Sequence, residues 1–145
     1  MENGERKTEL MNLRKKCVNK LVELGEKLGF KSELEWKIPG GVIDVVWYLE
    51  RELPGFDKTI PIAGFEIETS WRTRKHVKGD IFNLQLLHAP CGVILFLKKG
   101  FKDEKKFEGL LKAAKEYVKI AGNISVWTED ELSQLNHRER FQAIS

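Results

Sequence analysis

The chain is 145 residues long, 41% hydrophobic, 32% charged and 10% aromatic, and its 25 Lys plus Arg against 22 Asp plus Glu leave a formal net charge of +3. That length suits one domain over residues 1–145, burying roughly two-thirds of the unfolded chain's surface. The apolar fraction is too high for disorder, and the near balance of charge excludes a polybasic tail or an acidic solvating segment.

The start of the chain, Met1 to Lys7, is polar and leads into an amphipathic segment rather than the apolar core of a secretory signal, so a cytoplasmic protein is expected. Leu10, Leu13, Cys17, Leu21, Leu24 and Leu28 recur at helical spacing and predict a helix over residues 6–28, with Gly29 as its stop. Leu34, Trp36 and Ile38 alternate with Glu33, Glu35 and Lys37, a half-buried strand closed by the turn Pro39-Gly40-Gly41. Val42 to Leu49 is β-branched and aromatic around a single acid, Asp44, and reads as a buried strand.

After a polar excursion with Pro54-Gly55, residues 62–68 form a strand whose faces separate. Ala63, Phe65 and Ile67 lie on one side; Ile62, Gly64, Glu66 and Glu68 lie on the other. Residues 73–88 read as a helix on the stripe Val77, Ile81, Leu84 and His88, stopped by Pro90. Gly92 to Leu97 is apolar on both faces, as a central strand covered by helices would be, and the apolar run from Cys91 to Leu97 is far short of the roughly 20 residues that span a bilayer, so no membrane partner is expected. A helix over 104–121 follows, with Phe107, Leu110, Leu111, Ala114, Val118 and Ala121 as its core stripe, then a strand over 124–127. Thr128 with Glu131 three residues on is a capping box for a last helix. The expected fold is α/β: a central mixed β-sheet flanked by helices on both faces. Cys17 and Cys91 lie in apolar settings without zinc-site spacing and read as buried thiols.

Three acids stand in strands otherwise built for burial: Asp44, Glu66 and Glu68. An uncompensated buried carboxylate costs several kcal/mol, so each must be paired, reach solvent or hold a cation. Glu66 and Glu68 point the same way from one strand, about 6 to 7 Å apart, and a meander brings Asp44 alongside. Three carboxylates with no nearby Cys or His suit a hard ion, Mg²⁺ or Mn²⁺, and no organic cofactor is implied. Immediately afterwards comes the cationic stretch Trp71-Arg72-Thr73-Arg74-Lys75-His76-Val77-Lys78. Carboxylates that hold a metal beside Arg and Lys suit a phosphodiester, whose charge both offset.

Asp44 in an apolar strand, Glu66-Ile67-Glu68 in the next and a basic amphipathic helix after it, within an α-β-β-β-α-β order, resemble the core of the PD-(D/E)XK nuclease superfamily over residues 9–97. The resemblance implies a restriction-endonuclease-like fold and a Mg²⁺-dependent (or Mn²⁺-dependent) DNA endonuclease, with DNA as partner and a homodimer or a second protein for cutting both strands. Asp44 and Glu66 map onto the metal ligands, and Glu9 of the first helix is the candidate for a further one. Glu68 stands where the motif has lysine, and Ile43 where it has proline. A minority of type II restriction endonucleases carry Glu-x-Glu here, the second Glu binding metal or activating water. Lys75 or Lys78 of the following helix could replace the lysine. Arg72, Arg74, Lys75, Lys78 and Gln85 would then face the phosphates. The plainer alternatives are an Asp44–Arg51 pair, Glu66 and Glu68 on a solvated face paired with Arg72 and Arg74, or a nucleic-acid-binding or assembly module of the same fold without catalysis.

Overall fold

Short connections between the first three strands allow only antiparallel pairing, whereas the later strands are each separated by a helix long enough to cross over. The computed structural model describes residues 2–52, 54–56, 58–69 and 74–135, and for residues 2, 3, 74 and 75 the backbone alone. Its elements run α1 (Glu2–Lys27), β1 (Lys31–Ile38), β2 (Gly41–Glu50), β3 (Thr59–Glu68), α2 (Arg74–Leu87), β4 (Cys91–Phe96), a 3₁₀ turn (Lys98–Gly100), α3 (Glu104–Ala121) and β5 (Ile124–Thr128). A further helical segment, α4, covers residues 129–135. One mixed sheet results, in the order β1-β2-β3-β4-β5. The first two pairings are antiparallel and the last two parallel.

Each face of the sheet carries its own core. Val46, Ile94, Phe96 and Val126 pack under α2 and α3, against Val77, Leu84, Phe107 and Leu110. On the other face Val45, Trp47, Phe65 and Leu95 pack under α1, against Cys17, Leu21 and Leu24. Trp47 Nε1 donates to the Leu21 carbonyl at 3.0 Å, which satisfies a buried indole and ties α1 to β2. Gly64 decides how close α2 comes. A Cβ there would stand 2.6 Å from Leu87 Cδ2 and 3.0 Å from Leu84 Cδ2, so the missing side chain lets the helix settle directly onto β3.

The α/β class, the mixed sheet and the covering of both faces follow the sequence-based expectation, and four details depart from it. Leu28 lies past the end of α1 and is exposed. Leu34 is exposed as well, because Glu35 takes φ 53° and breaks the alternation that Trp36 and Ile38 resume. His88 adopts φ 57° beyond the last turn of α2, and Leu87 takes the buried place instead. Cys91 opens β4 at an exposed position, while Cys17 is buried and its thiol is pushed up to about 12, mainly by burial. The capping box forms as expected, with the Thr128 N–H and hydroxyl both donating to Glu131 Oε2 at 2.8 and 2.7 Å. Among the described residues no helix is long and apolar enough to cross a membrane.

Candidate functional site

The β2–β3 ladder ends at Val45↔Phe65, and beyond it side-chain oxygens replace carbonyls as acceptors. The Asp44 N–H donates to Glu66 Oε1 at 3.1 Å, and the Ile67 N–H donates to Asp44 Oδ2 at 2.7 Å. The two acids therefore interlock where the strands cease to pair. The pleat slips at the same place: Ile43 joins the core under α2, whereas Val45, two residues on, joins the core under α1. Glu35 with its left-handed φ stands opposite, between the pairs Leu34↔Val45 and Trp36↔Ile43. An irregular backbone at this point aims Asp44 into the gap between β2 and β3 instead of onto either core.

Glu66 and Glu68 lie on the α2 face of β3 and are 6% and 8% exposed, so neither sits on a solvated sheet surface. Asp44 does not pair with Arg51, whose guanidinium donates to the Glu50 carbonyl. Its partner is Arg14 of α1, with Nη2 at 2.8 Å from Oδ1. Arg14 lies on α1 beside the partly buried Leu13 and the buried Cys17, and that flank position is the sequence signal that it reaches the sheet.

Two more polar residues enter from α2 and were missed in the sequence. Asp80 is 9% exposed, and Glu66 meets both Asp80 and Asn83 at hydrogen-bonding range. Among the described residues nothing donates to Asp80 Oδ2, although that oxygen is buried. Its near neighbours are the carboxyls of Glu68 and Glu66. Two acceptors that face each other need a proton or a cation between them. The signal was an acid between Val77, Ile81 and Leu84, on the edge of the apolar stripe of α2.

The charges reflect this crowding. Glu66 is pushed up to about 7, first by burial and then by the Asp44 charge, against the opposing pull of the Asp44 N–H. Asp80 is driven far above the usual carboxyl range by burial first, then by Glu68 and Glu66. The acids meet in pairs: Asp44 with Glu66, and Asp80 with Glu66 and with Glu68. Among the described residues no three acidic, histidine or cysteine side chains surround one point that a metal ion could take.

The other residues singled out from the sequence lie elsewhere. Glu9 is exposed on α1, its carboxylate 3.9 Å from Arg6, and α1 reaches Asp44 through Arg14. Lys78 turns toward α3, with Nζ 5.1 Å from the centre of the Tyr117 ring. Gln85 shares that flank, lining with Lys78 and Tyr117 a cleft of about 210 Å³ between α2 and α3. Arg72 lies outside the described residues, as do the side chains of Arg74 and Lys75. Comparison with known proteins found no matching family model, no matching curated protein and no matching solved structure.

Proposed function

We propose that the chain is a divalent-metal-dependent DNA endonuclease with a restriction-endonuclease-like core, acting in the cytoplasm. The observation that carries this reading is the interlocked Asp44–Glu66 pair at the open end of the β2–β3 ladder, with Glu68 and the buried Asp80 gathered against it. An oxygen-only donor set that includes a buried oxygen without a donor fits a hard cation in its chemistry. Asp44 and Glu66 would hold Mg²⁺ or Mn²⁺; Glu68 and Asp80 share no common point with them among the described residues and would have to turn toward the ion to join the set. The ion supplies charge stabilisation at the scissile phosphate and a more acidic water. Glu68 would be the carboxylate to accept a proton from that water. Arg14, paired with Asp44, would orient that carboxylate, and the cationic residues Arg72, Arg74 and Lys75 would hold the DNA backbone. A homodimer would supply the second cut.

A second reading, a DNA-binding or assembly module without catalysis, is favoured by the Arg14–Asp44 ion pair and by Lys78 facing Tyr117 instead of the acids. The two separate in an Mn²⁺-supported cleavage assay on plasmid, single-stranded and branched DNA. The wild-type protein is expected to cut, and Asp44→Ala and Glu66→Ala to cut at least about 100-fold more slowly, the cost of losing a ligand to the ion that stabilises the transition state. Equal cleavage by all three would point to a contaminant and end the nuclease reading. No cleavage together with no Mg²⁺ or Mn²⁺ uptake by calorimetry in the presence of DNA would favour the module.

A further inference from the structure

Beyond the acids, the C-terminal end of β3 meets a second cationic segment. Residues 98–106, Lys98-Lys99-Gly100-Phe101-Lys102-Asp103-Glu104-Lys105-Lys106, carry five lysines against two acids. Asp103 commits its carboxylate to the N-cap of α3, with Oδ1 accepting from the Lys106 N–H at 3.2 Å. All five lysines are exposed.

This segment is held against the acidic cluster by backbone contacts. The Leu97 N–H donates to the Glu68 carbonyl at 2.9 Å, continuing the β3–β4 pairing past Glu68↔Phe96. Gly100 then presses onto the next residue of β3's exit: a Cβ at Gly100 would fall 1.5 Å from the Thr69 carbonyl oxygen, so only glycine fits. From α1, Arg6 Nη2 donates to the Gly100 carbonyl at 2.8 Å. Phe101 is anchored below by Phe107, with ring centres 4.9 Å apart. A cleft of about 360 Å³ opens there, with Arg6, Lys102 and Lys106 around Leu10 and Phe101. The segment is thus fixed one residue from Glu68, and its cations face outward at the same end of the sheet.

We propose that the 98–106 segment, with Arg6, is a docking surface for the phosphate backbone of nucleic acid, leading it to the acids at the ends of β2 and β3. The inference deepens the nuclease reading and rests on it for the direction of the path. Charge complementarity selects the partner: exposed lysines on a backbone pinned at Leu97 and Gly100 suit a regularly spaced polyanion, whose bound counterions are released as each phosphate is neutralised. Docking here also offsets the repulsion that Asp44, Glu66, Glu68 and Asp80 exert on an approaching phosphate.

The test is fluorescence anisotropy of a labelled DNA duplex over a salt series, with calcium in place of magnesium so that the duplex stays intact. The triple variant Lys98→Gln, Lys99→Gln, Lys102→Gln is compared with Lys112→Gln, Lys115→Gln, Lys119→Gln on the outer face of α3, an equal change of charge away from the acids. The first should weaken binding about 10- to 100-fold and lower the salt slope by about 2 to 3, near 0.9 for each phosphate that is no longer neutralised. The second should leave both close to the wild-type values. Equal losses from the two triples, wild-type protein that fails to retain DNA, or displacement of DNA by polyglutamate at equal charge would each overturn the docking surface. Wild-type protein that retains DNA through these lysines yet never cuts it would end the nuclease reading and leave this one standing.

Discussion

A carboxyl that keeps its proton in the folded chain but releases it in the unfolded chain lowers stability as pH rises, because the unfolded state then binds fewer protons than the folded one. Asp80 is such a group: burial and the facing Glu68 and Glu66 raise it far above its ordinary range. Its stability is greatest below the unfolded value near pH 4 and is lost as pH climbs toward the folded one. Glu66 follows the same sign up to about pH 7. Asp80→Asn keeps the shape and removes the proton linkage. It should therefore stabilise the metal-free protein by about 1 to 3 kcal/mol at pH 8 and by almost nothing at pH 4. Urea unfolding at the two pH values measures this, and a loss of stability at pH 8 would contradict it. The three strand acids were legible because a charge inside an apolar run is conspicuous. Asp80 was not, because one acid beside a helical stripe looks like an ordinary amphipathic boundary until Gly64 lets the helix descend onto β3.

The helices and strands follow their local signals most closely where those signals are covalent or capping in origin. The Thr128–Glu131 box begins α4 where the sequence places it, and α3 begins at Glu104 as expected, behind an Asp103 cap that the structure reveals. The end of α2 differs, since Pro90 is the stop that the sequence offers while the chain turns two residues earlier, through His88 at φ 57°. A left-handed residue with a Cβ is strained, and glycine is the natural occupant after a helix. His88→Gly should add about 1 kcal/mol, a rise of a few degrees in Tm by calorimetry. An unchanged or lowered Tm would mean that the exposed imidazole makes an interaction that outweighs the strain. The slip between Ile43 and Val45 has no such local signature. Val42 to Leu49 reads as one continuous buried strand around a single acid, and the break at Asp44 appears only when β1 and β3 are laid beside it.

For the molecule as a whole, a cation bound by the folded chain alone raises stability by mass action, about 2.7 kcal/mol at a hundredfold excess over Kd. Mg²⁺ or Mn²⁺ should therefore raise the Tm by several degrees at pH 8 and by less at pH 5, where protons compete for the same carboxylates. The rise should shrink in Asp80→Asn, and a wild-type Tm indifferent to both ions would remove the metal from the proposed function. By itself the sequence determined the class of fold, its element order, the three strand acids and the excess of cations around them. These are periodic or compositional properties that each segment carries locally. The tertiary structure alone decided which groups meet: Arg14 at Asp44, Asp80 and Asn83 at Glu66, Lys78 at Tyr117, and the backbone of the 98–106 segment one residue from Glu68. Such meetings depend on helix depth, strand register and the close approaches at Gly64 and Gly100, where backbone and side chains from distant parts of the chain compete for the same space.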